Sequence, residues 1–133
     1  MVTAVFTDND DYARTYGLWQ WDYGQQLRIE GLHLPTAVEI HFALQETGGE
    51  AIPRVGTTKD GVTTVTIPDS MLEGNRATWT ADKAYNIYAW VYLSDKLSGE
   101  TIKRITMQVK SRPKPEAFEA PGDGEIFREA IEA

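Results

Sequence analysis

The chain has 133 residues, a net charge of −7 and no cysteine. That is the length of one domain, and it rules out a disulfide framework and a thiolate zinc site. The acidity disfavours non-specific nucleic-acid binding, no apolar run is long enough to span a bilayer, and Met1-Val2-Thr3 opens no signal peptide. The expectation is therefore folding in a reducing cytoplasm, with neither a nucleic acid nor a membrane as partner.

Val2–Thr7 alternates as a first strand, with Val2, Ala4 and Phe6 on one side. Asp8-Asn9-Asp10-Asp11 breaks it. A calcium loop would need a ligand where Tyr12 stands, a glycine at its sixth position and a closing glutamate, so the cluster reads as a polar turn. Tyr16–Trp21 follows, with Leu18 and Gln20 on one face and Trp19 and Trp21 on the other. Asp22-Tyr23-Gly24-Gln25 is a turn, and Gln26–Glu30 carries Leu27 and Ile29 inward, so Leu18–Ile29 is expected to be a hairpin.

After Pro35, Val38, Ile40, Phe42 and Leu44 alternate with the outward Glu39 and His41. Ala51–Thr58, interrupted by Pro53 and Gly56, suits a sheet edge. Lys59-Asp60-Gly61 is a hairpin turn leading into a strand over Val62–Ile67. Pro68–Gly74 predicts one short helical turn, and Asn75–Ala84 a polar connection anchored by Trp79.

The strongest strand is Tyr85–Leu93. Tyr85, Ile87, Ala89, Val91 and Leu93 form an aliphatic face, while Asn86, Tyr88, Trp90 and Tyr92 form an aromatic one. Apolar surface on both sides places it in the middle of a sheet. Thr101–Lys110 is the last strand, with Ile105, Met107 and Val109 inward. Pro113 and Pro115 then end the sheet.

The pattern predicts an all-β fold: a single antiparallel β-sandwich of about seven or eight strands over residues 1–112. A linker over 113–124 and the start of a helix over 125–133 complete the chain. That helix has no glycine or cap at its end, which points to a longer natural chain of which this is the N-terminal part. The last eighteen residues hold six acids against one base, Arg128, as a solvated helix face does.

No nucleophile elbow, phosphate-cradling loop or metal-ligand spacing is present, and His33 and His41 fall on separate elements. Glu30 and Glu39, on outer faces, sit where solvated carboxylates go. No catalytic residue, cofactor or metal is expected. The aromatic groups Trp19, Trp21 and Tyr23, and Tyr88, Trp90 and Tyr92, are the candidate surfaces. They suit a second small core, a protein interface, or a platform that stacks on sugar rings.

Gly17-Leu18-Trp19-Gln20-Trp21-Asp22-Tyr23-Gly24-Gln25, Leu27-Arg28-Ile29-Glu30-Gly31-Leu32 and Leu34-Pro35 open a longer pattern. It continues through Val38–Phe42, Ile67–Leu72, Ile87–Tyr92 and Arg112–Pro115. Over about residues 1–115 this order and spacing resembles a structural protein family of prophages in Gram-positive bacteria, in particular the N-terminal domain of phage baseplate upper proteins. The resemblance implies a non-enzymatic virion module, made in the bacterial cytoplasm, that attaches a longer tail or baseplate protein to other tail and baseplate proteins. It also implies a downstream helical stalk through which the full-length protein forms a homotrimer. It supplies no catalytic or ligand residues. A carbohydrate-binding module using an aromatic face is the alternative.

Overall fold

The computed structural model describes residues 1–7, 9–73 and 83–115. Trp79, most of the linker and the expected helix over 125–133 lie outside the described residues. Eight strands follow in chain order: β1 (Val2–Val5), β2 (Tyr12–Trp19), β3 (Gln26–Glu30), β4 (Ala37–Ala43), β5 (Ile52–Lys59), β6 (Val62–Thr66), β7 (Tyr85–Ser94) and β8 (Gly99–Lys110). The expected helical turn is a 3-10 turn over Asp69–Leu72. Among the described residues, no helix is long and apolar enough to cross a membrane.

The all-β class and the strand count are as the sequence predicts, but the layout differs from an antiparallel sandwich. The strands form one sheet in the order β1-β3-β6-β5-β4-β7-β8-β2. It rolls into a nearly closed barrel around a single core. Five of the pairings are antiparallel, whereas β1–β3 and β2–β8 are parallel. The two ends of the order meet where β2 passes β1, and a methyl group on Gly17 would lie 3.5 Å from Val2 Cγ1.

The expected Leu18–Ile29 hairpin does not form. Trp21 takes a left-handed φ of 74°, and its amide donates to the Leu72 carbonyl at 2.7 Å. Gly24, also left-handed, donates its amide to Asp69 Oδ1 at 2.9 Å. These bonds hold the segment after β2 against the 3-10 turn, so the chain reverses into a strand that is not a neighbour of β2. β3 therefore joins β1 and β6, while β2 joins β8.

Alternation predicts the core well. Val2, Ala4, Phe6, Leu18, Leu27, Ile29, Val38, Ile40 and Phe42 are buried, as are Ile87, Ala89, Val91, Ile105, Met107 and Val109. β7 lies between β4 and β8, as its two apolar faces require. β5 pairs with β4 over Ile52–Thr57 and with β6 over Thr57–Lys59, so it has a ladder partner on one side only over Ile52–Gly56. The edge expected around Pro53 thus exists, confined to that half of the strand. Asp60 and Gly61 adopt φ of 54° and 79°, the two left-handed residues of a tight hairpin.

Candidate docking face

The outward residues of β7 meet specific neighbours on both sides. Trp90 lies opposite His41 of β4 and Arg104 of β8, and Arg104 lies opposite Tyr12 of β2. One cross-strand row, His41–Trp90–Arg104–Tyr12, therefore spans four strands on the outside of the barrel. Neighbours in such a row stand about 5 Å apart, so their side chains work as a group. Tyr92 and Tyr88 flank Trp90 along β7, opposite Glu39 and Ala43 of β4.

The charges of the row, His41 and Arg104, are each held by a ring and a counter-charge. His41 stacks on Tyr92 with ring centroids 4.6 Å apart and 27° between the planes. Its Nε2 lies 3.2 Å from Glu39 Oε1, and Glu39 Oε2 accepts a 3.3 Å bond from Ser94 Oγ. The Arg104 guanidinium sits 4.6 Å from the Tyr12 ring centroid and 5.8 Å from that of Tyr88, and its Nη1 donates to Glu46 Oε1 at 2.5 Å. A planar guanidinium against ring faces is a favourable cation–π arrangement. Tyr88 and Trp90 pack with centroids 6.1 Å apart, tilted by 30°. Trp90, Tyr88 and Tyr92 are half-buried, whereas Tyr12 is 66% exposed.

Two grooves border the row. One, of about 390 Å³, lies between Tyr12 and Trp90, with Lys103 and Arg104 along it and Asp11 at its rim. Lys103 Nζ lies 3.5 Å from Asp11 Oδ1 and donates to the Asp10 carbonyl. The other, of about 320 Å³, lies between Pro35, Val55 and Tyr92.

The sequence grouped Trp19, Trp21 and Tyr23 on one strand face, but β2 ends at Trp19 and Trp21 belongs to the turn that follows. Trp19 is 44% exposed, with Lys110 Nζ 5.3 Å above its ring. Trp21 Nε1 donates to the Arg112 carbonyl at 3.3 Å, and Lys114 Nζ lies 5.4 Å from its ring. Tyr23 is half-buried, and its carbonyl accepts a 3.4 Å bond from Gln25 Nε2. Trp19 lies opposite Lys110, six residues along β8 from Arg104, a separation of about 20 Å at strand rise. The two aromatic groups therefore remain separate.

Tyr12 and Arg104 were missed by sequence reading, because their role depends on the parallel β2–β8 register. His33 is exposed ahead of β4. Among the described residues, no group of three or more histidines or acids could hold a metal ion. Asp10 of the polar turn is engaged by Thr7, whose Oγ1 and amide donate to Oδ2 at 2.5 and 3.1 Å. These bonds hold its carboxyl below the usual aspartate range. In comparisons with known proteins, no family model and no curated protein matches the chain.

Proposed function

We propose that this domain is a non-enzymatic structural module of a phage virion, the N-terminal attachment domain of a tail or baseplate protein. It docks onto neighbouring tail proteins through the outer β4–β7–β8–β2 face. The observation that carries the reading is the row His41–Trp90–Arg104–Tyr12. Half-buried aromatic residues beside an arginine are the side chains that dominate protein interfaces. The charges of the row are already committed to rings and counter-charges, an arrangement suited to presenting a surface more than to transferring protons. The sequence resemblance supplies the virion context, and a trimer-forming stalk downstream belongs to the same proposal.

The test is to purify virions produced by a host carrying the gene and to analyse their proteins by mass spectrometry and labelled-antibody electron microscopy. The expected result is the protein at the tail or baseplate in a fixed copy number. Its absence from intact particles would refute the reading.

The groove between Tyr12 and Trp90 favours a second reading, a carbohydrate-binding module. Against it, Arg104 already covers one face of Tyr12. Glycan-array binding that is lost in both Tyr12→Ala and Trp90→Ala would establish that alternative.

A further inference from the structure

Charge on this acidic chain is segregated. Gly99–Pro115, comprising β8 and its extension, carries five bases (Lys103, Arg104, Lys110, Arg112 and Lys114) against one acid, Glu100. β2, alongside it, carries Arg14 and no acid. The parallel register sets Tyr12 beside Arg104, Arg14 beside Thr106, and Trp19 beside Lys110. Cations and rings thus alternate down this side of the barrel and continue through Lys114 on Trp21. Tyr12, Tyr16 and Trp19 are all exposed.

The cations at the two ends of this strip differ. Lys103 and Arg104 are paired with Asp11 and Glu46. Arg14, Lys110, Arg112 and Lys114 have no carboxylate within ion-pair distance among the described residues. Cations without a carboxylate partner among the described residues, gathered on one side of a chain whose net charge is −7, make a local field opposite in sign to the whole.

From this we infer that the β2–β8 side is a docking strip for an acidic segment of a partner protein. The inference rests on the docking reading above and names the chemistry of the partner. Carboxylates of the segment lie against Arg14, Lys110 and Arg112, and its apolar side chains cover Tyr16 and Trp19. The groove between Tyr12 and Trp90 seats one end of the segment. A nucleic acid also combines anionic groups with flat rings, but it is a long polyanion, and beyond the strip it meets a chain whose net charge is −7. A short acidic segment stays within the strip, so charge complementarity favours the protein partner.

The experiment uses the whole chain at low ionic strength and reads tryptophan fluorescence, because Trp19 and Trp21 lie in the strip. The probes are a poly-glutamate peptide of about twenty residues and an oligothymidylate of about the same length. One variant combines R14E, K110E and R112E. A control combines R54E, K59E and K96E, three exposed bases outside the strip, with the same change in net charge. Circular dichroism melting establishes that both variants are folded.

The inference expects saturable peptide binding that weakens about tenfold or more in the strip variant and less than about twofold in the control. Equal losses in both variants would reduce the effect to net charge and overturn it. So would no peptide binding by the parent, or oligothymidylate bound as tightly as the peptide. These outcomes are independent of the virion assay, so a strip that binds acidic peptide would survive failure of the tail assignment. A tail protein that ignores the peptide would retain its assignment and lose the strip.

Discussion

The hydroxyl of Tyr85, at the start of β7, donates a 2.6 Å hydrogen bond to the backbone carbonyl of Met71 in the 3-10 turn. The bond is buried and fastens the turn to the strand that occupies the middle of the β4–β7–β8 group. Tyr85→Phe keeps the ring and leaves that carbonyl without its partner. The expected cost is about 1–2 kcal/mol of unfolding free energy, measured by urea denaturation. An unchanged midpoint would mean that the turn is not held by this bond.

Gly31 follows β3 with a φ of 91°, and a methyl group there would lie 1.9 Å from the Phe6 carbonyl oxygen. The obstacle is backbone, so it cannot rotate away. Gly61, at the β5–β6 turn with φ of 79°, would place a methyl group in open space. Gly31→Ala should therefore cost about 3 kcal/mol or more, and Gly61→Ala about 1 kcal/mol from the left-handed backbone alone. Comparable losses of Tm for the two would argue against the close approach of Gly31 to Phe6.

Leu18 and Val91 are fully buried, while Trp90 is half-buried on the outside of the barrel. Leu18→Ala is expected to cost about 2–5 kcal/mol. Trp90→Ala should cost about 1–2 kcal/mol, because much of its ring faces the groove and its removal opens no internal cavity. Thermal unfolding of the two variants checks the order. A larger loss for Trp90→Ala would place the organising contacts outside the barrel.

The contrast between these residues marks what the sequence could reveal. Strict alternation in Tyr85–Leu93 identified both the central strand and its core face, because period two is a local property of the backbone. The β2–β3 connection was misread because glycine at position 24 serves a link between non-neighbouring strands as well as a hairpin. Its amide bond to Asp69 spans 45 positions and leaves no local trace. The docking row draws on residues 12, 41, 90 and 104; of these only Trp90 was a candidate surface residue beforehand, while His41 was placed on an outer face without that role. Nothing in the spacing of Tyr12 and Arg104 indicates that a parallel ladder would set them side by side.

The β7–β8 turn should respond to acid. Asp95 Oδ1 accepts bonds from the amides of Leu97 and Ser98 at 2.7 and 2.8 Å, which hold its carboxyl below the usual aspartate range. A carboxyl depressed in the folded state stabilises it above the unfolded value, near pH 4, and that contribution fades as pH falls through the folded value. Proton-detected titration should show Asp95 ionised at pH values where a peptide aspartate is already half protonated. Asp95→Asn should abolish the corresponding acid-dependent shift of the Leu97 and Ser98 amides. A titration at the ordinary value would exclude the turn as its cause.

The β2–β8 ladder joins Tyr12 to Arg104, so a strand made early in synthesis takes its hydrogen-bonded partner from far along the chain. A chain emerging from the ribosome can form the local β5–β6 hairpin early. β2 has no permanent neighbour until residues beyond 104 have cleared the exit tunnel. Closure across such a separation carries a large loop entropy and slows folding. Through that interval Tyr12, Tyr16 and Trp19 belong to an unpaired strand, which makes the nascent chain most vulnerable to association with other chains just before β8 arrives.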